Sequence, residues 1–302
     1  MNHFLSIGLP ARNEEESVEQ AIESIIKSTA WKRAGEGNRE LIVCVNGSSD
    51  KTAQICRELG QRTPELRLIE LKEAGKNNAI NHIAKVANSK ARDIYFSDAD
   101  VITHRSAIER TLAELRANPQ IKFAAPLCIP IESYIPPKRR NSTQALYVES
   151  TRFAKNKGAF QLAGQGYAAN REFLLQHPLP NTNMIGDDRY IKTKFPHLIK
   201  MVYSAKFFYK TPSLKDHLRQ RTRQKIQKRA LNEHSPETLQ KSVQNAKEVS
   251  PRRIDLVRAL SSKARVGLAL NQGAEIVATI KAKRAQNDVW PKIKSTKLRR
   301  RR

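Results

Sequence analysis

Ala91-Arg92-Asp93-Ile94-Tyr95-Phe96-Ser97-Asp98-Ala99-Asp100-Val101 is the stretch whose reading decides the fold. Ile94, Tyr95 and Phe96 favour a strand, and they run straight into two aspartates. Residues two apart on a strand share a face. If strand geometry persists, Asp98 and Asp100 therefore project from one strand end into one space. Two carboxylates so placed repel unless a cation joins them or one takes a proton. A hard divalent ion, Mg2+ or Mn2+, suits such oxygen ligands and completes its shell with water and substrate phosphates. Taken alone, the same residues equally suit a polar loop after a strand, with an aspartate capping the helix that begins near Ser106.

The flanking sequence repeats the pattern. Phe4–Leu9 reads as a buried strand that stops at Pro10, and Asn13–Ser17 opens a helix carrying Val18, Ala21, Ile22, Ile25 and Ile26 at helical spacing. Leu41–Val45 and Leu66–Leu71 read as strands, each followed by a helix, the second starting at Asn77 or Asn78. Ile94–Ser97 is the fourth strand, Ser106–Asn118 a helix, and Ile121–Cys128 a fifth apolar run. Strand and helix alternating through short links predict parallel βαβ units in an open α/β sheet. Ligands bind such sheets outside the carboxyl ends of the strands. Three polar clusters fall there: Ala11–Glu14, Asn46–Asp50 and Asp98–Asp100.

After Pro130 the rhythm changes. Ser142–Lys155 and Arg189–Lys194 read as helices, Gly164-Gln165-Gly166 as a flexible turn, and Lys200–Tyr209 as a strand. Leu214–Leu231 is a strongly basic helix, and a boundary is placed near Asn232. The expected organisation is an α/β domain over 1–232, a basic helical extension over 233–291 and a disordered basic tail over 292–302. Net charge is +26, carried unevenly: residues 201–302 hold 26 Lys and Arg against 7 Asp and Glu, and the first 200 hold 29 against 22. The basic end points to an anionic partner. Its apolar residues Ile254, Val257, Leu260, Ala264, Leu268, Ile276, Val277 and Ile280 suit either an amphipathic helix on anionic lipid or a helix packed on the protein. The three cysteines show neither zinc nor disulfide spacing. With no signal-like start and no long apolar run, the chain is expected to be soluble or membrane-peripheral, in the cytoplasm or at the inner face of the cell membrane.

Four further groups carry candidate chemistry, and each has an ordinary structural reading beside it. Pro10, Ala11, Arg12 and Asn13 can meet a nucleotide or simply start a helix. Asn46 to Thr52, with Gly47 for a tight turn, can contact a base or ribose or cap the next helix. Gly75-Lys76-Asn77 puts a lysine and free amides at a helix start, which favours phosphate, although it lacks the spacing of a Walker loop. Asp187-Asp188 can supply a general base, because adjacent carboxylates push one pKa upward, or can merely place acid at a helix start. Gln220, Arg221 and Arg223 lie on the basic helix.

Together and in this order, these pieces resemble the inverting glycosyltransferases of family two, with the GT-A nucleotide-sugar fold: a Rossmann-like, mostly parallel α/β sheet with flanking helices. The resemblance spans about Phe4 to Lys228. It implies that Pro10, Ala11, Arg12, Asn13, Asn46, Asp50 and Lys76 line the nucleotide pocket, and that Asp98 lies near ribose and metal. Asp100 then helps to hold Mg2+ or Mn2+ on the diphosphate, and Gly164–Tyr167 shape the acceptor side. Asp188 matches the aspartate that deprotonates the acceptor hydroxyl, with Asp187 where glutamate is usual. Gln220, Arg221 and Arg223 match the start of the Gln-x-x-Arg-Trp motif of cellulose, chitin and hyaluronan synthases. Gln224 stands in the tryptophan position and membrane helices are absent, so transfer of one or a few sugars is expected rather than polymer synthesis. The implied partners are a nucleotide-sugar donor, a glycan or lipid-linked acceptor and an anionic membrane surface. A nucleic-acid-binding protein on a degenerate transferase fold also explains the charge, but aromatic content is 6% and no nucleic-acid motif is recognised. A nucleotidyltransferase needs a glycine-rich basic loop where this chain has Ala11–Glu15.

Overall fold

A computed structural model describes residues 3–158, 161–181, 185–222, 225 and 253–284. The first half is built as the alternation requires. β1 (Leu5–Ala11), β2 (Arg39–Asn46), β3 (Leu66–Leu71) and β4 (Asp93–Ser97) alternate with α1 (Val18–Ile26), α2 (Thr29–Ala34), α3 (Thr52–Arg62) and α4 (Lys76–Val86). There follow β5 (Ile102–Thr103), α5 (Ala107–Ala117), β6 (Phe123–Pro130), α6 (Ser142–Asn156), β7 (Gly166–Asn170), α7 (Arg171–Gln176), α8 (Asp187–Lys194) and β8 (Ile199–Tyr209). The strands form one sheet in the order β3-β2-β1-β4-β7-β6-β8-β5. β3, β2, β1 and β4 are mutually parallel, whereas β7 runs antiparallel to both β4 and β6.

Alternate residues of the parallel strands enter two cores. Ile7, Leu9, Leu41, Val43 and Tyr95 pack in one, and Ile42, Cys44, Ile94 and Phe96 in the other. Both faces of the sheet are thus covered, which is why β2 and β4 read as continuous apolar runs. Burial pushes the Cys44 thiol up to about 12, as befits a small core residue.

Two boundaries differ from the sequence reading. β1 does not stop at Pro10 but continues through it to Ala11, paired with β2. The ladder to β4 covers only Ser6–Gly8, so beyond it one side of β1 needs no further donor. β4 ends at Ser97, and Asp98–Asp100 turn away, so strand geometry does not persist through both aspartates. The two-residue strand β5 and the short helix α2 carry too little periodicity to be seen in sequence.

The chain divides into two compact units. Of the described residues, one takes those of Met1–Cys128 and Gln161–Phe208, the other those of Ile129–Phe160 and Tyr209–Thr296. In the second unit the helices Arg253–Ala259 and Ser262–Arg284 pack on α6, with Leu260 and Ala264 buried against Ala145 and Leu146. Leu256 and Leu268 flank that contact. Gly267 sits so close to α6 that a Cβ there would collide with the carbonyl of Ser142. This unit also holds residues 214–222 as helix. The expected boundary near Asn232 and the tail 292–302 lie outside the described residues. No described helix is long and apolar enough to cross a membrane.

Candidate active site

The strand order reverses direction at β1, whose neighbours are β2 and β4. That is the switch point of an open α/β sheet, where a crevice opens beyond the carboxyl ends. Two loops at this edge are laced together. The amide of Asn13 donates to Ser48 Oγ (3.0 Å), that of Glu14 to Thr52 Oγ1 (2.8 Å) and that of Glu15 to Asp50 Oδ2 (3.2 Å). In return, Asn13 Oδ1 accepts from the Ser49 amide (2.9 Å). Asn13 takes a positive φ of 54° to do so, a conformation asparagine tolerates.

Asn46 ties a third loop to the first two. Its Nδ2 donates to the carbonyl of Ala11 (3.1 Å), and its Oδ1 accepts from the amide of Gly75, the residue before α4 (3.0 Å). Gly47, at φ 62°, lets the backbone of Ala74 come within 3.0 Å of where a Cβ would stand. Asn46 and Asp50 therefore use their side chains to set loop positions at the place the sequence assigned to the nucleotide. Arg12 is exposed beside them.

The start of α4 then organises the carboxylates. Lys76 Nζ lies 2.7 Å from Asp98 Oδ1 and 3.3 Å from Asp187 Oδ1, and donates to the carbonyl of Gly164 (2.6 Å). Burial works against the Lys76 charge, but Asp187 and Asp98 overcome it and hold its pKa above the ordinary lysine value. Next to Lys76, Asn77 Nδ2 donates to the carbonyls of Pro180 (3.0 Å) and Ile185 (2.9 Å), and one turn on Asn81 bridges to Leu179 through both ends of its amide. These bonds hold the segment that leads into Asp187 and Asp188. Gly164 is the point where the pieces meet: a Cβ there would lie 3.0 Å from Asp187 Oδ1, 3.3 Å from Lys76 Nζ and 3.3 Å from Asp188 Cβ.

The adjacent aspartates are in different states. The Asp187 side chain is 4% exposed, and its Oδ2 is buried without a hydrogen-bond partner. Burial pushes its pKa up to about 6, against the pull of Lys76 and with the help of Asp188. The Asp188 side chain is 32% exposed and bonds Lys192 Nζ at 3.0 Å one turn along α8. Burial alone would raise its pKa, but Lys192 wins and holds it below the ordinary carboxylate value. The Tyr167 hydroxyl, buried and without a hydrogen bond of ordinary geometry, is pushed up by burial and by the Asp187 charge.

The Asp98 amide donates to the Gln165 carbonyl (2.9 Å), which fixes the turn after β4. Cys128, at the end of β6, feels the charges of both Asp98 and Asp100; burial and those charges raise its pKa. Among the described residues no three His, Cys, Asp or Glu converge into a protein-only metal cage. Asp98 and Asp100 offer two hard oxygen ligands, a donor set that fits Mg2+ or Mn2+ when phosphate and water supply the rest.

The structure thus brings Lys76, Asp98, Gly164 and Asp187 together, with Asp188 at their edge and Ala11, Asn13, Asn46 and Asp50 framing the same strand ends. Gln220 and Arg221 belong to the second unit, where Arg221 Nε lies 3.4 Å from His217 Nε2 and Tyr147 Oη 2.6 Å from His217 Nδ1. Arg223 lies outside the described residues. The sequence reading missed Lys192, although its i,i+4 spacing from Asp188 on a predicted helix is a legible signal. It also missed Cys128, which no local pattern marks.

Comparison with known proteins identifies the fold and the family. The solved structure of the mannosyltransferase PcManGT from Pyrobaculum calidifontis, in complex with GDP-Man and Mn2+, shares the fold at a TM-score of 0.60 and 17% identity, over 93% of this chain and 87% of that one. S. aureus TarS shares it at a TM-score of 0.52 and 14% identity, over 93% of this chain and 55% of that one. The Minor teichoic acid biosynthesis protein GgaB of Bacillus subtilis (strain 168) is 33% identical over 112 residues, 37% of this chain, which spans 12% of that protein. The family model of Glycosyl transferase family 2 matches residues 6–177. That match covers more than half of the sequence and includes the switch-point loops, Lys76 and the Asp98–Asp100 turn, so the chain belongs to glycosyl transferase family 2.

Proposed function

We propose that the chain transfers one sugar from a nucleoside-diphospho-sugar to an acceptor hydroxyl, with inversion at the anomeric carbon and assistance from Mg2+ or Mn2+. The observation that carries this is the meeting of Lys76, Asp98 and Asp187 around Gly164 at the switch point, with Asp188 beside them. Asn46, Asn13 and Asp50 hold the loops that receive the nucleoside. Asp98 and Asp100 would hold a divalent ion, which would supply positive charge opposite the departing diphosphate. Lys192 keeps Asp188 ionised at neutral pH, ready to accept the proton of the attacking hydroxyl. Lys76 holds Asp187 in place and thereby fixes the first turn of α8. Gly164, lacking a side chain, lets Lys76 and Asp187 close up beside Asp188.

An envelope glycan or lipid-linked acceptor is supported by the stretch shared with the teichoic acid biosynthesis protein and by the concentration of positive charge after residue 200. The position of Gln224, where a stacking tryptophan would stand, supports release after one or a few transfers. The test is a screen of donor hydrolysis with UDP-, GDP- and dTDP-sugars and Mn2+ or Mg2+. Hydrolysis of one donor that depends on Asp98 and Asp100 is the expected result. Binding of none of these nucleotides would overturn the reading.

A further inference from the structure

We propose that Lys76 is an exchangeable counter-ion, occupying Asp98 until the donor diphosphate draws its ammonium away, so that a divalent cation gains Asp98 only together with the donor. This rests on the nucleotide-sugar reading above. An ammonium has three protons to donate, and here three acceptors take them: Asp98 Oδ1 at 2.7 Å, the Gly164 carbonyl at 2.6 Å and Asp187 Oδ1 at 3.3 Å. A phosphate can therefore be gripped by Lys76 only if one of these contacts is given up.

Asp98 is the partner suited to release. Its side chain is 26% exposed, against 4% for Asp187, so water or a metal can replace the ammonium there. Asp187 has no such exchange partner, and its second oxygen is already without a hydrogen bond. A dication and an ammonium on one carboxylate repel each other. The two-carboxylate donor set offers no third protein ligand among the described residues to outweigh that repulsion. A diphosphate reverses the balance. It carries more negative charge than the carboxylate it replaces, lies at the N-terminus of α4 where free amides favour anions, and brings its own oxygens to the metal. The long lysine stem lets the ammonium move between the two sites by rotation alone.

The test reads Mn2+ affinity of the full chain without nucleotide, by electron paramagnetic resonance of free Mn2+. Lys76→Gln keeps a donor for the Gly164 carbonyl but removes the charge, and is expected to bind Mn2+ at least about fivefold more tightly than the unmodified protein. Lys76→Met, a second neutral variant, is expected to do the same. Lys76→Arg keeps the charge and is expected to stay within about twofold. Lys192→Gln, which removes a neighbouring charge that does not touch Asp98, is expected to stay there too. Unchanged or weaker affinity in folded Lys76→Gln overturns the proposal, as does equal tightening in Lys192→Gln. If the unmodified protein binds no Mn2+ with or without UDP, GDP or dTDP, the nucleotide-sugar reading falls as well. If it binds Mn2+ with nucleotide and the neutral variants change nothing, the exchange alone falls.

Discussion

Asp187 and Asp188 differ by one position and by nearly everything else. Asp187 points into protein and costs free energy as an anion; Asp188 is half-buried and is stabilised as one by Lys192. Asp188→Asn is expected to lower turnover by about 10²–10⁴-fold, the usual range for a lost general base, with nucleotide binding retained. Near-normal turnover in the purified variant would remove Asp188 from that role. Asp187 behaves differently. Its folded pKa is raised from 3.8 to about 6, so the folded state binds the proton more tightly than the unfolded chain. Stability from this group is therefore present below its unfolded pKa and is lost as pH rises through the window from 3.8 to 6. Asp187→Asn removes the ionisation. It is expected to raise thermal stability at pH 7.5, with the gain shrinking as pH falls towards 4. A variant less stable than the parent at pH 7.5 would show that the pairing with Lys76 outweighs burial. The identity of these two residues was legible in the sequence, but their division of labour was not. Adjacent positions on a helix start diverge, and which one meets the interior depends on how Asn77 and Asn81 seat the preceding segment.

At the scale of elements, β2 and β4 were placed within a few residues because both their faces are buried and their apolar runs are unbroken. The long helix Ser262–Arg284 tests a different kind of packing. Its contact with α6 depends on a glycine: a Cβ at Gly267 collides with the Ser142 carbonyl, while one at Gly273 on the same helix meets nothing within 4 Å. Gly267→Val is expected to destabilise the protein by about 1–3 kcal/mol through overpacking. Gly273→Ala is expected to stabilise it by up to about 1 kcal/mol through helix propensity. Thermal unfolding of the two variants checks both signs, and a loss at Gly273 equal to that at Gly267 would refute the contact. For Leu260, Ala264 and Leu268, the same packing selects the second of the two readings of this segment, a helix packed on the protein. Leu260, Ala264 and Leu268 lie at helical spacing, as expected, but face α6, whereas Val266 and Leu270 are exposed. Periodicity showed that an apolar face exists; only the neighbouring helix shows what covers it.

At the scale of the whole molecule, charge is the property most directly written in the sequence. With 26 basic residues against 7 acidic ones after residue 200, binding to vesicles rich in anionic lipid is expected at low salt. Release is expected as ionic strength approaches the molar range, where screening shortens to about 3 Å. Flotation measures this, and absence of binding at low salt would sink the membrane-surface reading.

The sequence by itself determined the alternation of the first four strands with helices, the buried character of β2 and β4, the polar clusters at the carboxyl edge and the asymmetry of charge. These follow from local periodicity and composition, which act over a few residues. It also placed Lys76, Asp98 and Asp187 on three separate segments without saying that they touch. That contact needs β4 to lie beside β1, β7 to return antiparallel along β4, and Gly164 to leave the space at their junction. The turn after Ser97 shows the limit most directly. Two aspartates two apart were expected to share a strand face, yet the strand ends before them, and the Asp98 amide bonds the Gln165 carbonyl. Only tertiary structure decided that arrangement, because the partner comes from a segment some seventy residues away and backbone hydrogen bonds across that distance leave no local trace.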